Sequence, residues 1–476
     1  MTDEVGDTDY GVQVGISFVG QVLTATFGFV GSIYLARVVG AGGYGLFYIS
    51  YAIAQFMENP ASGWARACRK RMTETSFDES AALGSYLIIT TGLLVVGSVV
   101  SFLILPHLTA NPLIPVVVPV LFGSIVHYWG LVTILSGRAN FGLKSWMGVG
   151  NTLIQTSVQI TLVAFGWGVW GMVVGAAVGP LMMIPVVLWV VGVRPTVPSR
   201  HQIKSIGQFA KWSIPQGFVG TALSRVDIVL LGWIVAASAS GRYQVALKLT
   251  LPAVFIGTAV QSGLSARISN RVSRGVDWKG DLYNSLSYIS FFAVPIFFGS
   301  MVIGGDLAYT VFGKEFRGIG AMVILLALKR VIDTQVGPHS KAIEGLDRPD
   351  LNFKMGLVKV PLNAILGVVL LLEFGAIGVI VASVVAALID YFVKVWWVHS
   401  LADVQFTIPK PFREQVFVGS AMVIVCYLFK QLVSFSMPVE TAVVIVIGAL
   451  FYIFGILVIS DQFRGTVRGI GRDIVA

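Results

Sequence analysis

Residues 165–181 read FGWGVWGMVVGAAVGPL, seventeen positions without one ionisable side chain. With the apolar residues around it, the stretch is long enough for a helix across a hydrocarbon core of about 30 Å. It has an echo. EFGAIGVIVASVVAAL at 373–388 repeats its glycine spacing, with Gly168 and Gly171 matching Gly375 and Gly378. A second pair agrees: GGYGLF (42–47) precedes RACRKR (66–71) much as SGRYQV (240–245) precedes RISNRV (267–272). The offset is 198 residues at one pair and 207 at the other, about six membrane spans. Six is even, so the two halves keep one orientation, related by an axis along the membrane normal.

Working outward, apolar runs of about 20 residues recur along the whole chain. Hydrophobic residues make up 55% of the 476 and charged ones 12%, about half the supply of a soluble domain. The mean hydropathy is +0.82. The fold class that follows is all-α, a polytopic membrane protein of about fourteen transmembrane helices. Spans are predicted to begin near Gly11, Gly43, Ala81, Asn111, Trp146, Gly171, Trp212, Arg242, Leu282, Gly318, Leu351, Ala376, Glu414 and Val439. GAGGYG (40–45) falls between two of them and reads as a tight external turn.

Lys and Arg set the orientation. RACRKR, GRANFGLK (137–144), RPTVPSRHQIK (194–204), RISNRVSRG (267–275), SKAIEGLDR (340–348), PKPFR (409–413) and the tail DQFRGTVRGIGR (461–472) gather most basic residues on one side. That side is predicted to be cytoplasmic and to hold both termini. The net charge of +9 belongs to these loops and not to a nucleic-acid surface. The start, MTDEVGDTDY, is acidic and lacks the basic region of a cleavable signal peptide. Cys68 and Cys426 suggest neither a disulfide framework nor a metal site.

Charges inside the spans are the candidate functional residues, because an ionised side chain in lipid is costly and marks a pathway or partner. In ALSRVDIVLLG (222–232), Arg225 lies about 20 Å into its span at about 1.5 Å per residue, too deep to snorkel. Asp227, two residues on, points elsewhere and does not neutralise it. In ALKRVIDTQVGPHSK (327–341), Lys329 or Arg330 can pair with Asp333, leaving one cation spare. Gly337-Pro338 is expected to bend or hinge that helix. Lys359 adds a further cation. Asp390 is four residues before Lys394, a pair that satisfies itself, whereas Lys248, Lys354 and Lys394 read as snorkelling. In the first half Glu58, beside Pro60, either braces a bend or serves in coupling. Asn151, Gln155 and Gln159 share one helix face and either line a cavity or bond to a neighbouring helix. His339 is another coupling candidate. No phosphate-binding loop, HExxH or CxxC occurs, so no cofactor, metal or catalytic residue is predicted.

YLARVVGAGGYGLFYISYAIAQF (34–56), SRVDIVLLGWIV (224–235) and FGAIGVIVASVVAAL (374–388) resemble the lipid-linked oligosaccharide and polysaccharide flippases. These belong to the multidrug/oligosaccharidyl-lipid/polysaccharide exporter superfamily. The resemblance implies two six-helix lobes around a central cavity, residues 1–198 and 199–403, followed by two C-terminal spans and a tail (404–476). It implies alternating access and a polyprenyl-phosphate or pyrophosphate glycan as cargo, moved from the cytoplasmic to the outer leaflet of the cell membrane. Arg225 and Asp227 fall on the family's Arg-x-Asp pattern. Lys329, Arg330 and Lys359 would extend the cationic cavity, with Asp227, Asp333, Glu58, Asn151 and Gln155 as cavity or coupling residues. The partners implied are membrane lipids and a glycan polymerase or glycosyltransferases of one pathway. Two rivals stand beside this reading. A cation-coupled drug exporter would want a carboxylate in the first span, GVQVGISFVGQVLTATFGFVGSIYLA, which has none. A membrane-embedded polymerase or ligase would need a catalytic outer loop, and the longest candidate is DLAYTVFGKEFRG (306–318).

Overall fold

A computed structural model of the chain describes residues 10–74, 77–108, 111–136, 141–261, 263–402, 408–432, 436–466 and 468. The acidic start and part of the basic tail lie outside the described residues, as do Arg138 and Arg472. Among the described residues the regular secondary structure is all helical. The helices are α1 (Tyr10–Met72), α2 (Glu79–Leu108), α3 (Ile114–Leu135), α4 (Phe141–Ala164), α5 (Gly168–Val191), α6 (Arg200–Leu230), α7 (Ala237–Leu249) and α8 (Phe255–Gln261). They continue with α9 (Leu264–Ser273), α10 (Lys279–Tyr288), α11 (Ala293–Phe312), α12 (Gly320–Gly345), α13 (Pro349–Phe374), α14 (Ala376–Ala402), α15 (Lys410–Leu432) and α16 (Met437–Ile459).

Among the described residues, ten helical runs are long and apolar enough to cross a membrane. The first is two spans in one. At about 1.5 Å per residue α1 would reach about 95 Å, and it breaks at Gly40, with φ 72° and ψ 173°. Only Gly40 leaves the helix; residues 41–45, expected as a turn, already form the first turn of the second limb. Counting α1 twice and adding α4, α12 and the interrupted run α7–α9 gives fourteen candidate spans among the described residues.

One start is displaced. The seventh span begins at Arg200 and not near Trp212. Ser199 accepts from the Gln202 N–H at 3.3 Å and donates its own N–H to Gln202 Oε1 at 2.8 Å, a reciprocal cap written as Ser-Arg-His-Gln. The eighth span differs too. A 3-10 turn at Leu251–Val254 and Gly263 at φ 91° divide it into three short helices, because Pro252 brings no N–H and Gly263 leaves the right-handed region. The helix is not interrupted at Gly337-Pro338: α12 runs through Pro338 to Gly345. Proline there removes one hydrogen bond, and the remaining ladder holds the helix.

The chain forms two compact units, Met1–Gly241 and Arg242–Ala476. In the first, α6 packs along α1, and a core of Ala65, Cys68, Leu83, Tyr128, Leu131 and Val187 joins α1, α2, α3 and α5. The Tyr128 hydroxyl donates to the Met147 carbonyl at 2.9 Å, fixing α3 to α4. In the second, Val418, Met422, Val444 and Tyr452 pack α15 and α16 on α11, while Leu264, Ile268, Leu282 and Ile343 join α9, α10 and α12.

The repeated glycines occupy equivalent places. Gly168 and Gly375 both have positive φ, 51° and 62°, and turn the chain between paired helices. One turn later Gly171 and Gly378 touch the preceding helix. A Cβ on Gly171 would lie 2.9 Å from the Val163 nitrogen, and one on Gly378 2.0 Å from the Leu370 carbonyl oxygen. The α4–α5 and α13–α14 hairpins are thus built by the same device.

Candidate functional site

Intramembrane charge gathers separately in each unit. In the first, α6 carries Arg225 about 15 Å before Val235, where the span ends in a π turn, Leu231–Val235. Arg225 is half-buried, and among the described residues it makes no hydrogen bond or ion pair. Its charge acts on Tyr51 of α1. Asp227 is buried, and its carbonyl accepts the Leu231 N–H. Glu58 is half-buried on α1, without an ion pair among the described residues, within electrostatic reach of Tyr51 and Arg66.

Around Glu58, polar bonds stitch α1 to α6. Thr221 donates to Asn59 Oδ1 at 3.0 Å, Ser213 to the Gly63 carbonyl at 2.7 Å, and Arg66 to the Ser213 carbonyl at 2.7 Å. Arg71 donates to the Ser205 carbonyl through Nη2 at 3.0 Å. Arg66 and Arg71 count in the sequence only as orientation signals, yet here they hold two spans together. Gly217 makes room for one of them, since a Cβ there would lie 2.4 Å from Arg66 Nη2.

Asn151, Gln155 and Gln159 face the glycines of α5. Gln159 donates to the Met172 carbonyl at 2.8 Å, and a Cβ on Gly179 would lie 2.8 Å from Gln155 Cβ and 3.0 Å from Asn151 Oδ1. Of the two alternatives open for this face, bonding to a neighbouring helix describes Gln159. Asn151 and Gln155 sit in the same helix contact.

In the second unit, α12, α13 and α14 bring their charges together. Lys329 Nζ meets Asp333 Oδ2 at 2.7 Å, Lys359 Nζ meets Asp390 Oδ2 at 2.8 Å, and Lys394 Nζ meets Asp390 Oδ1 at 2.8 Å. Arg330 is the spare cation, with no hydrogen bond or ion pair among the described residues. The pairs are linked, for the charges of Lys359 and Arg330 also act on Asp333, and that of Asp333 on Lys394. Four cations therefore face two carboxylates across three helices. Of the two readings open for Lys394, pairing with Asp390 is the one found: it is 8% exposed and ion-paired, not snorkelling. Lys354 does reach the surface, where it pairs with Asp350 at 2.9 Å. Asp390 serves two lysines, and its bond to Lys359 spans 31 positions, which no local spacing reveals.

This arrangement suits an anion. Fixed guanidinium and ammonium groups in a poorly solvated interior replace the water of a phosphate, and an unpaired guanidinium offers its fork without first breaking an ion pair. Among the described residues no group of three or more His, Cys, Asp or Glu side chains is placed to hold a metal ion.

A family described as polysaccharide biosynthesis protein matches residues 34–320. Over 480 residues, 96% of each chain, the sequence is 24% identical to a protein named probable flippase AglR of Haloferax volcanii. It is 23% identical over 403 residues to one named probable low-salt glycan biosynthesis flippase Agl15 of the same organism, covering 82% of this chain and 83% of that one. Among solved structures, the fold is similar to that of the lipid II flippase MurJ in an inward closed conformation. The TM-score is 0.77 at 16% identity, over 94% of this chain and 99% of that one.

Proposed function

The chain belongs to the polysaccharide biosynthesis protein family, and from that premise we propose that it flips a lipid-linked oligosaccharide across the cell membrane. The cargo is a glycan on a polyprenyl phosphate or pyrophosphate, carried from the cytoplasmic to the outer leaflet with no covalent bond changed. Similarity over nearly the whole length to proteins named as flippases supports this reading. Residues 1–198 and 199–403 act as the two lobes of an alternating-access transporter, residues 404–476 are accessory, and both termini are cytoplasmic. The glycan arrives from glycosyltransferases of the same pathway, and a polymerase consumes it.

Arg225, Lys329, Arg330 and Lys359 are the proposed phosphate-binding groups. The observation that carries this is Arg225 itself: a guanidinium deep in a span, half-buried, with no ion pair among the described residues. A structural arginine at such depth would be paired, because an uncompensated charge there is costly. Asp227, Asp333 and Glu58 are the proposed coupling residues.

The drug-exporter reading lacks its carboxylate in the first span. The polymerase reading loses its outer loop, since residues 306–312 remain in α11 and only 313–319 connect α11 to α12.

The test is leaflet-resolved detection of lipid-linked glycan in cells lacking the protein, complemented with wild type or with Arg225→Ala. Losing a charge-assisted bond of about 1.5–3 kcal/mol should lower flipping by about ten- to a hundredfold. Normal outer-leaflet glycan in the absence of the protein would overturn the reading.

A further inference from the structure

A cavity of about 550 Å³ opens in the second unit between α10, α12, α14 and the first turn of α15. Its lining residues are not those of the cation cluster, although the charge of Lys394 reaches His339. On α12, Val331, Gln335 and His339 form the stripe that lines it, while Lys329, Arg330 and Asp333 lie round the opposite side of the same helix. Its volume falls within the range of about 300–1,000 Å³ typical of small-molecule pockets.

The lining has a direction. Helix α10 begins at Lys279, and Lys279, Tyr283 and Asn284 stand at that end. His339 and Tyr391 follow, their rings edge to face at 5.8 Å. Farther in, Val331, Ile332 and Leu388 are wholly apolar. A polar mouth over an apolar shaft, in a helix bundle that spans a membrane, matches an amphiphile entering chain first.

His339 gives the mouth its chemistry. The side chain is 7% exposed, and Nδ1 lies 2.7 Å from the Gln335 carbonyl. A carbonyl can only accept, so Nδ1 carries the hydrogen, and in the neutral form of the ring Nε2 is the acceptor. Nε2 has no partner among the described residues. His339 lines the cavity, so an acceptor nitrogen without a protein partner can take a hydrogen bond from a ligand hydroxyl there. The exposed Lys279 adds positive charge to the same lining.

We propose that this cavity binds a membrane glycerophospholipid with an anionic, hydroxyl-bearing headgroup, one chain lying along Val331, Ile332 and Leu388. The phosphate meets Lys279, a headgroup hydroxyl donates to His339 Nε2, and the site is separate from that of the cargo. Phosphatidylglycerol has this chemistry. Because Ile408, Pro409 and Phe412 close the cavity from the side of α15, the bound lipid also braces the last two spans against α12 and α14.

The test places the purified full chain in phosphatidylcholine vesicles containing a phosphatidylglycerol with a photoreactive diazirine on its chain. Crosslinks are mapped by mass spectrometry. We expect them within residues 331–339 and 388–395, reduced about tenfold by Lys279→Glu and by the cavity-filling Ile332→Trp, and unchanged by Arg330→Gln. Lys279 is exposed, so its variant folds even if Ile332→Trp does not. Three results would overturn the proposal: no crosslink in these segments, equal yield from a diazirine phosphatidylcholine, or displacement by polyprenyl phosphate but not by unlabelled phosphatidylglycerol. The last would assign the cavity to a prenyl tail. Because the readout is crosslinking and not transport, it fails or succeeds independently of the flipping reaction.

Discussion

Asp390 is 4% exposed and lies 2.8 Å from the ammonium groups of both Lys359 and Lys394. Remove its charge and the buried Lys394 faces the half-buried Lys359 uncompensated, at about 4 kcal/mol for two charges about 4 Å apart in a partly polarisable interior. Asp390→Asn should therefore lower unfolding stability by about 3–5 kcal/mol, read by thermal unfolding in detergent. Arg330→Gln should behave oppositely. With no ion pair to break among the described residues, it should change stability by less than about 0.5 kcal/mol while reducing outer-leaflet glycan. A stability loss in Arg330→Gln comparable to that of Asp390→Asn would make Arg330 a structural residue. What the sequence reveals at this scale depends on distance along the chain. The Lys329–Asp333 pair is legible because four residues is one helical turn. The Lys359–Asp390 bond is not, since it depends on how α13 and α14 pack, whereas the Asp390–Lys394 pair lies one turn apart on α14 and is legible.

At the scale of elements, packing of bare backbone against backbone makes the hairpins. A Cβ on Gly378 would meet the Leu370 carbonyl at 2.0 Å, and carbonyl oxygens cannot rotate aside as side chains do. Gly378→Ala should cost about 1–3 kcal/mol through forced separation of α13 and α14, and Gly171→Ala should repeat the effect at α4–α5. Gly92→Ala in α2 is the control: no heavy atom lies within 4 Å of its Cβ position. It should be neutral or gain up to about 1 kcal/mol from helix propensity. Equal losses in all three would mean that the contacts are not what the glycines protect. The matched spacing of Gly168–Gly171 and Gly375–Gly378 was visible because a turn and a close approach both demand glycine. The early start of α6 was written too, in the Ser199–Gln202 cap, but charged residues around it read as loop. The break in the eighth span was hardest to see, since Pro252 and Gly263 look no different from Pro338, which its helix absorbs.

For the whole molecule, the distribution of Lys and Arg predicts which ends of the helices face the cytoplasm, and span parity links every connection to that choice. If both termini are cytoplasmic, the connection after α9 is cytoplasmic and that after α11 is outside. Two native features make this simple to measure. Cys68 and Cys426 are both free and buried, so neither competes for a thiol reagent in the folded protein. Arg274 and Lys314 are both exposed, one in each connection. In intact cells a membrane-impermeant maleimide should label Lys314→Cys at once and Arg274→Cys only after permeabilisation. Reversed labelling would invert the molecule and, with it, the direction in which the cargo moves. Labelling of both from outside would break the parity of the spans between them, α10–α11, and remove the basis for two halves of equal orientation. The prediction is strict because α10 and α11, joined by a short turn, make one candidate span, Lys279–Phe312, whose 34 residues leave room for a single crossing.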